Sequence, residues 1–92
     1  MSDSYNYFIK GQSSILDFSV DWTQWLDDDT LSSVVWTVPS GITKHDENNS
    51  SYIATIWLSG GTLGQSYDIV CSITTIAGRV DSRTITVIIR DR

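Results

Sequence analysis

From Leu31 onward apolar and polar residues alternate, and turn-forming residues break the alternation at intervals. Alternation with a period of two puts successive side chains on opposite faces of an extended chain, so it predicts β-strands. Val34, Trp36 and Val38 share one face of a strand that must end at Pro39-Ser40-Gly41, where proline lacks a ladder donor and glycine permits a turn. A short strand can restart at Ile42. The run from Lys44 to Ser51 is polar throughout and reads as an exposed loop. In Tyr52-Ile53-Ala54-Thr55-Ile56-Trp57-Leu58 both faces carry apolar residues, as in a strand covered on both sides or lying at an interface. Gly60-Gly61-Thr62-Leu63-Gly64 predicts a turn. After it, Tyr67, Ile69, Cys71 and Ile73 face one way, and Ile76-Ala77-Gly78-Arg79 makes a hairpin connection. The returning strand, Val80 to Ile89, turns Ile85, Val87 and Ile89 inward, so the last two strands should pair.

The N-terminal part is less regular. Ile15 to Val20 alternates well enough to be the first strand of the main domain, residues 13–92, while residues 1–12 form an N-terminal arm or an edge strand. About seven short strands with no convincing helix predict an all-β fold, an immunoglobulin-like β-sandwich. Tyr67 opens a strand directly after a tight crossing turn, the position of a tyrosine corner, whose hydroxyl bonds to nearby backbone. Trp22 and Trp25 cannot both lie on one face of a regular strand, so either the chain bends there or one ring turns outward. Trp36 and Trp57 sit within strand alternations and are expected in the core.

Composition narrows what such a domain can do. The 92 residues supply one core, because a chain this short buries only about 60–65% of its unfolded surface. Eleven acidic against six basic residues give a formal charge of −5, which repels a phosphate backbone, so no nucleic acid is expected. No apolar run is long enough for a membrane span and the N-terminus lacks the features of a signal peptide, so no membrane is expected and the protein should be made and left in a cytoplasm. The single cysteine, Cys71, leaves no internal disulfide to form, and the fold must rely on its core.

Candidate chemistry is sparse. The sole histidine, His45, sits in the polar run and Cys71 lies mid-strand on the inward register, which gives no nucleophile and base within reach of each other. The glycines at 60, 61 and 64 are followed by no Gly-Lys-Ser/Thr and no helix, so they mark a turn and not a phosphate cradle. Asp27-Asp28-Asp29 invites a Ca²⁺ reading, but adjacent aspartates rarely converge on one ion and the EF-hand spacing is absent. No catalytic residue, metal site or cofactor is therefore expected, and the protein is read as a non-enzyme. The four tryptophans keep a carbohydrate-binding module open as a function of another class.

Several segments carry a resemblance. They are Val20-Asp21-Trp22-Thr23-Gln24-Trp25-Leu26, Asp29-Thr30-Leu31-Ser32-Ser33, and Trp36-Thr37-Val38-Pro39-Ser40-Gly41-Ile42. In the second half they are Trp57-Leu58-Ser59-Gly60-Gly61-Thr62-Leu63-Gly64 with Tyr67, and Ile73 to Arg83 with Ile85. Together these resemble a family of small tailed-phage and prophage fiber-tail adaptor proteins. The resemblance implies a structural virion protein with an immunoglobulin-like fold that joins tail and fiber components through protein–protein contacts. It implies other virion proteins as partners, multiple symmetric copies in the particle, and residence in the virion after synthesis in the bacterial host cytoplasm. Capsid decoration and a head-to-tail connector are the alternatives within the same class.

Two candidate protein-binding surfaces follow. The first is the N-terminal segment with Tyr5, Tyr7, Phe8 and Ile9, too apolar for a free tail; its alternative is an extra edge strand on the protein's own sheet. The second joins Trp22 and Trp25 to an outward face of Tyr52, Ala54, Ile56 and Leu58; its alternative is that these residues complete the core.

Overall fold

In the computed structural model, which describes residues 6–91, the alternation becomes seven strands and one helical turn. In chain order they are β1 (Asn6–Lys10), β2 (Ile15–Asp21), α1 (Thr23–Leu26), β3 (Leu31–Thr37), β4 (Ile42–Asn49), β5 (Ile53–Gly60), β6 (Ser66–Thr75) and β7 (Val80–Ile89). They form two sheets, one ordered β1-β7-β6-β3 and the other β2-β5-β4. All pairings are antiparallel except β1 with β7, which runs parallel from Asn6↔Ile85 to Lys10↔Ile89. This is the immunoglobulin-like sandwich that the spacing predicts.

The core fills the space between the sheets. Phe18 and Val20 of β2, Ala54, Ile56 and Leu58 of β5, and Ile42 of β4 come from one side. Trp36 of β3, Ile69, Cys71 and Ile73 of β6, and Ile85, Val87 and Ile89 of β7 come from the other. The last hairpin pairs as its alternation requires, from Ser66↔Ile88 to Thr74↔Val80.

Three motifs close one corner of the sandwich. The Tyr67 hydroxyl accepts the Thr62 N–H at 2.9 Å, a tyrosine corner. Gly41 packs against the same ring: a Cβ there would stand 3.0 Å from Tyr67 Cε1, at a φ of +101° that L side chains rarely adopt. Gly61, also at φ +101°, leaves room for Ile89, whose Cδ1 would lie 2.7 Å from an added Cβ. The Pro-Ser-Gly and Gly-Gly-Thr segments are thus glycine-bearing because a tyrosine and an isoleucine fill the space. Nearby, the buried Lys10 ammonium donates to Gly60 O at 2.7 Å and Gly11 O at 2.9 Å, tying the end of β1 to the end of β5 in the other sheet. Burial lowers the pKa of this lysine.

The structure corrects the pattern in two places and decides between its alternatives in a third. The polar run expected as a loop is strand β4, with Ile42 its only buried residue. An edge strand draws its pairing from backbone hydrogen bonds to β5 and needs no apolar side chain to be held. The chain does bend at Trp22, into a single helical turn. The Asp21 carboxylate sets it by accepting the Thr23 N–H at 3.0 Å and the Thr23 hydroxyl, an Asx turn. Finally, the face of β5 expected outward is the buried one. Ala54, Ile56 and Leu58 are wholly buried, while Trp57, expected in the core, points away from it and is 36% exposed.

Candidate protein-binding surfaces

The N-terminal residues that the sequence marks for binding divide by the pleat of β1. Tyr5 lies outside the described residues. Tyr7 and Ile9 are exposed, on the outer side of the four-stranded sheet, whereas Phe8 turns inward and packs on Phe18 with ring centroids 5.2 Å apart. β1 thus forms the edge of the protein's own sheet, beside β7, and offers two side chains outward.

The tryptophan pair is an internal brace. Trp22 is wholly buried and meets Trp25 edge-on at 5.4 Å. Two arginines from the β6–β7 hairpin close over them, Arg83 at 4.3 Å from the Trp22 ring centroid and Arg79 at 4.6 Å from that of Trp25. Both are cation–π contacts, worth about 0.5–2 kcal/mol each according to how dry they are. Arg79 also donates to Leu26 O at 2.9 Å and to Asp29 Oδ2 at 3.2 Å, and Arg83 donates to Asp21 O at 3.3 Å.

Asp29 is the hub of this brace. Its Oδ1 accepts the Thr30 N–H at 2.9 Å and the Ala77 N–H at 3.2 Å. A hydrogen bond from the Thr75 hydroxyl does most to hold its pKa below the ordinary carboxylate value, with the Thr30, Ala77 and Arg79 donors adding to it against some desolvation. The Asp-Trp and Gly-Arg segments therefore stitch the β2–β3 connection to the β6–β7 hairpin. Trp22 offers nothing to a partner, a correction to its expected binding role; Trp25 keeps a partly exposed edge.

The β5 surface changes in the same way. Ile56, expected as a binding residue, is wholly buried because it faces the opposite sheet, and Tyr52 remains exposed just before the strand. The outward residues of β5 are instead Ile53, Thr55 and Trp57, which sequence reasoning did not single out. Across the ladder, Trp57 stands opposite Asp17 of β2 and opposite Asp46 of β4. Ile15, diagonal to Trp57 on β2, is also exposed. Apolar residues on this face surrounded by polar ones form a surface of the kind that docks another protein.

Conventional chemistry finds little to work with. His45 is exposed, at an irregularity in β4, far in character from a catalytic pocket. Cys71 is buried, and desolvation pushes its thiol up to about 11, against smaller opposing effects of the Trp22 indole and Arg83. The Trp22 Nε1–H is buried with no hydrogen-bond acceptor among the described residues. Among the described residues no group of three His, Cys, Asp or Glu side chains converges on one point, and no helix is long and apolar enough to cross a membrane.

The family model described as "Podophage GP4 fiber-tail adaptor protein gp77" matches residues 10–88. The chain belongs to this fiber-tail adaptor family. Among solved structures, the "Solution structure of the PKD domain from KIAA 1837 protein" superposes with a TM-score of 0.54 at 15% sequence identity, covering 95% of this chain and 80% of that one. That likeness shows the sandwich fold of the adaptor and nothing about its activity. A comparison with curated proteins finds no match.

Proposed function

We propose that this chain is a structural virion protein that joins tail and fiber components through protein–protein contacts, in multiple symmetric copies, and that it catalyses nothing. The observation that carries this reading is the family match across residues 10–88. It favours the tail–fiber junction over capsid decoration, a neck connector or a carbohydrate module.

The arrangement of side chains supports a binding role. A single exposed histidine and a buried thiol held protonated supply no activated nucleophile. The exposed aromatic residues Tyr7, Tyr52 and Trp57, with the partly exposed edge of Trp25, are the side-chain types that anchor interfaces. Partners are other virion proteins; the acidic surface disfavours nucleic acid. The protein is synthesised in the host cytoplasm and ends in the particle.

Cryo-electron microscopy of the intact phage tests this. Density for the chain between tail and fiber, with Trp57 or Tyr7 at the contact, is the expected result. Finding the chain on the capsid or neck, or not in the particle, would overturn it.

A further inference from the structure

We propose that the outer face of the β2-β5-β4 sheet is a docking surface whose centre, Trp57 between Asp17 and Asp46, receives an arginine side chain from a neighbouring virion protein. The adaptor reading names where that arginine comes from; the socket itself rests on the geometry below.

The protein shows what its tryptophans hold. Trp22 lies under Arg83, which also donates to the Asp21 backbone carbonyl, and Trp25 lies under Arg79, which also pairs with the Asp29 carboxylate. Trp57 has the ring and the carboxylate neighbours of the Trp25–Arg79–Asp29 arrangement without the cation. It sits on the central strand of its sheet, 36% exposed, with Asp17 opposite on one side and Asp46 on the other. Directly opposed residues in an antiparallel ladder point to the same face with Cβ atoms about 4.5–5.5 Å apart. Both carboxylates therefore flank the indole.

A β-bulge makes this so. Lys44 pairs with Leu58 and Asp46 with Trp57, which leaves His45 as an extra residue between them. In an unbroken ladder His45 alone would stand opposite Trp57; the bulge sets two residues, His45 and Asp46, against it and so adds a carboxylate to this side of the ring. Re-aiming a side chain in this way is what bulges do beside binding sites.

Four of the five described lysines and arginines are engaged elsewhere, and the fifth, Arg90, lies beyond the other sheet. Arg79 and Arg83 lie over the other two rings, Lys10 is buried against carbonyls, and Lys44 pairs with Glu47 at 3.1 Å from the opposite parity of β4. Arg90 follows β7, in the other sheet. The face is acidic around its aromatic centre and complementary to a cation. A guanidinium fits better than an ammonium, because its plane stacks on an indole while its edges reach a carboxylate on either side. Ile15 offers an apolar rest for the arginine stem.

Nuclear magnetic resonance of the full chain tests the socket without any virion partner. The indole N–H signal of Trp57 is assigned by its disappearance in Trp57→Phe, and the wild-type chain is titrated with N-acetyl-arginine amide, with its neutral isostere N-acetyl-citrulline amide, and with chitohexaose. The expected result is a saturable shift of the Trp57 signal with the arginine probe alone. Asp17→Asn and Asp46→Asn each weaken it about two- to fivefold, as for exposed ion pairs. Both positions are exposed, and asparagine keeps the side-chain oxygen with which Asp46 accepts the Glu47 N–H at 2.8 Å, so the variants should keep the wild-type spectrum elsewhere. A Trp57 signal that stays still, that moves equally with citrulline, that ignores both aspartate substitutions, or that answers the sugar instead would overturn the proposal. The adaptor reading stands or falls separately on the position of the chain in the particle.

Discussion

Trp22 is the largest fully buried side chain among the described residues and is at once core, ring partner and floor for Arg83. Trp22→Ala should cost about 3–5 kcal/mol, as for other fully buried tryptophans, read from urea denaturation midpoints. Cys71 gives a prediction with a sign. Its folded thiol is raised from about 9 to about 11, so the unfolded chain loses the proton first as pH rises. The protonated thiol's contribution is complete below pH 9 and is lost between pH 9 and about 11, at about 1.4 kcal/mol per pH unit. Cys71→Ala should flatten that part of the stability profile. Sequence made the core residues of β6 and β7 legible because polar partners alternate with them. It failed at Ile56 and Trp57 because both parities of β5 are apolar. Which one is buried depends on where the opposite sheet lies, and no local pattern contains that.

Among the elements, β6 and β7 are readable in full, and β4 is not. A strand held through backbone pairing at a sheet edge has no apolar signature, and Lys44 to Asn49 show none. α1 is too short for a helical period, although Asp21 followed by Thr23 is a visible turn signal. These differences should appear in hydrogen exchange. Amides in the β5 and β6 ladders should exchange only through global unfolding, while those of β4 beyond the bulge and of β1 should exchange through local opening. Phe8 anchors β1 to the core through Phe18. Phe8→Ala should cost about 1–3 kcal/mol, less than a full core truncation because the ring is half-buried, and should speed exchange along β1 more than elsewhere.

At the scale of the molecule, class and strand count follow from alternation and turn spacing, whereas the partner of β1 does not. Nothing in Asn6–Lys10 distinguishes a free arm from a strand laid parallel on β7. The chain holds together without a covalent staple, since its cysteine is free. Calorimetric unfolding should be a single transition, unchanged by reductant. The parallel pairing of β1 on β7 has a mechanical consequence. A load that draws Asn6 and Ile89 apart pulls these two strands past each other along their length, so the pairs from Asn6↔Ile85 to Lys10↔Ile89 bear the force side by side. An antiparallel hairpin pulled at its open end would instead release its rungs one at a time. A domain built this way resists stretching more than its size indicates, a useful property in any part that transmits tension between a particle and the surface it grips.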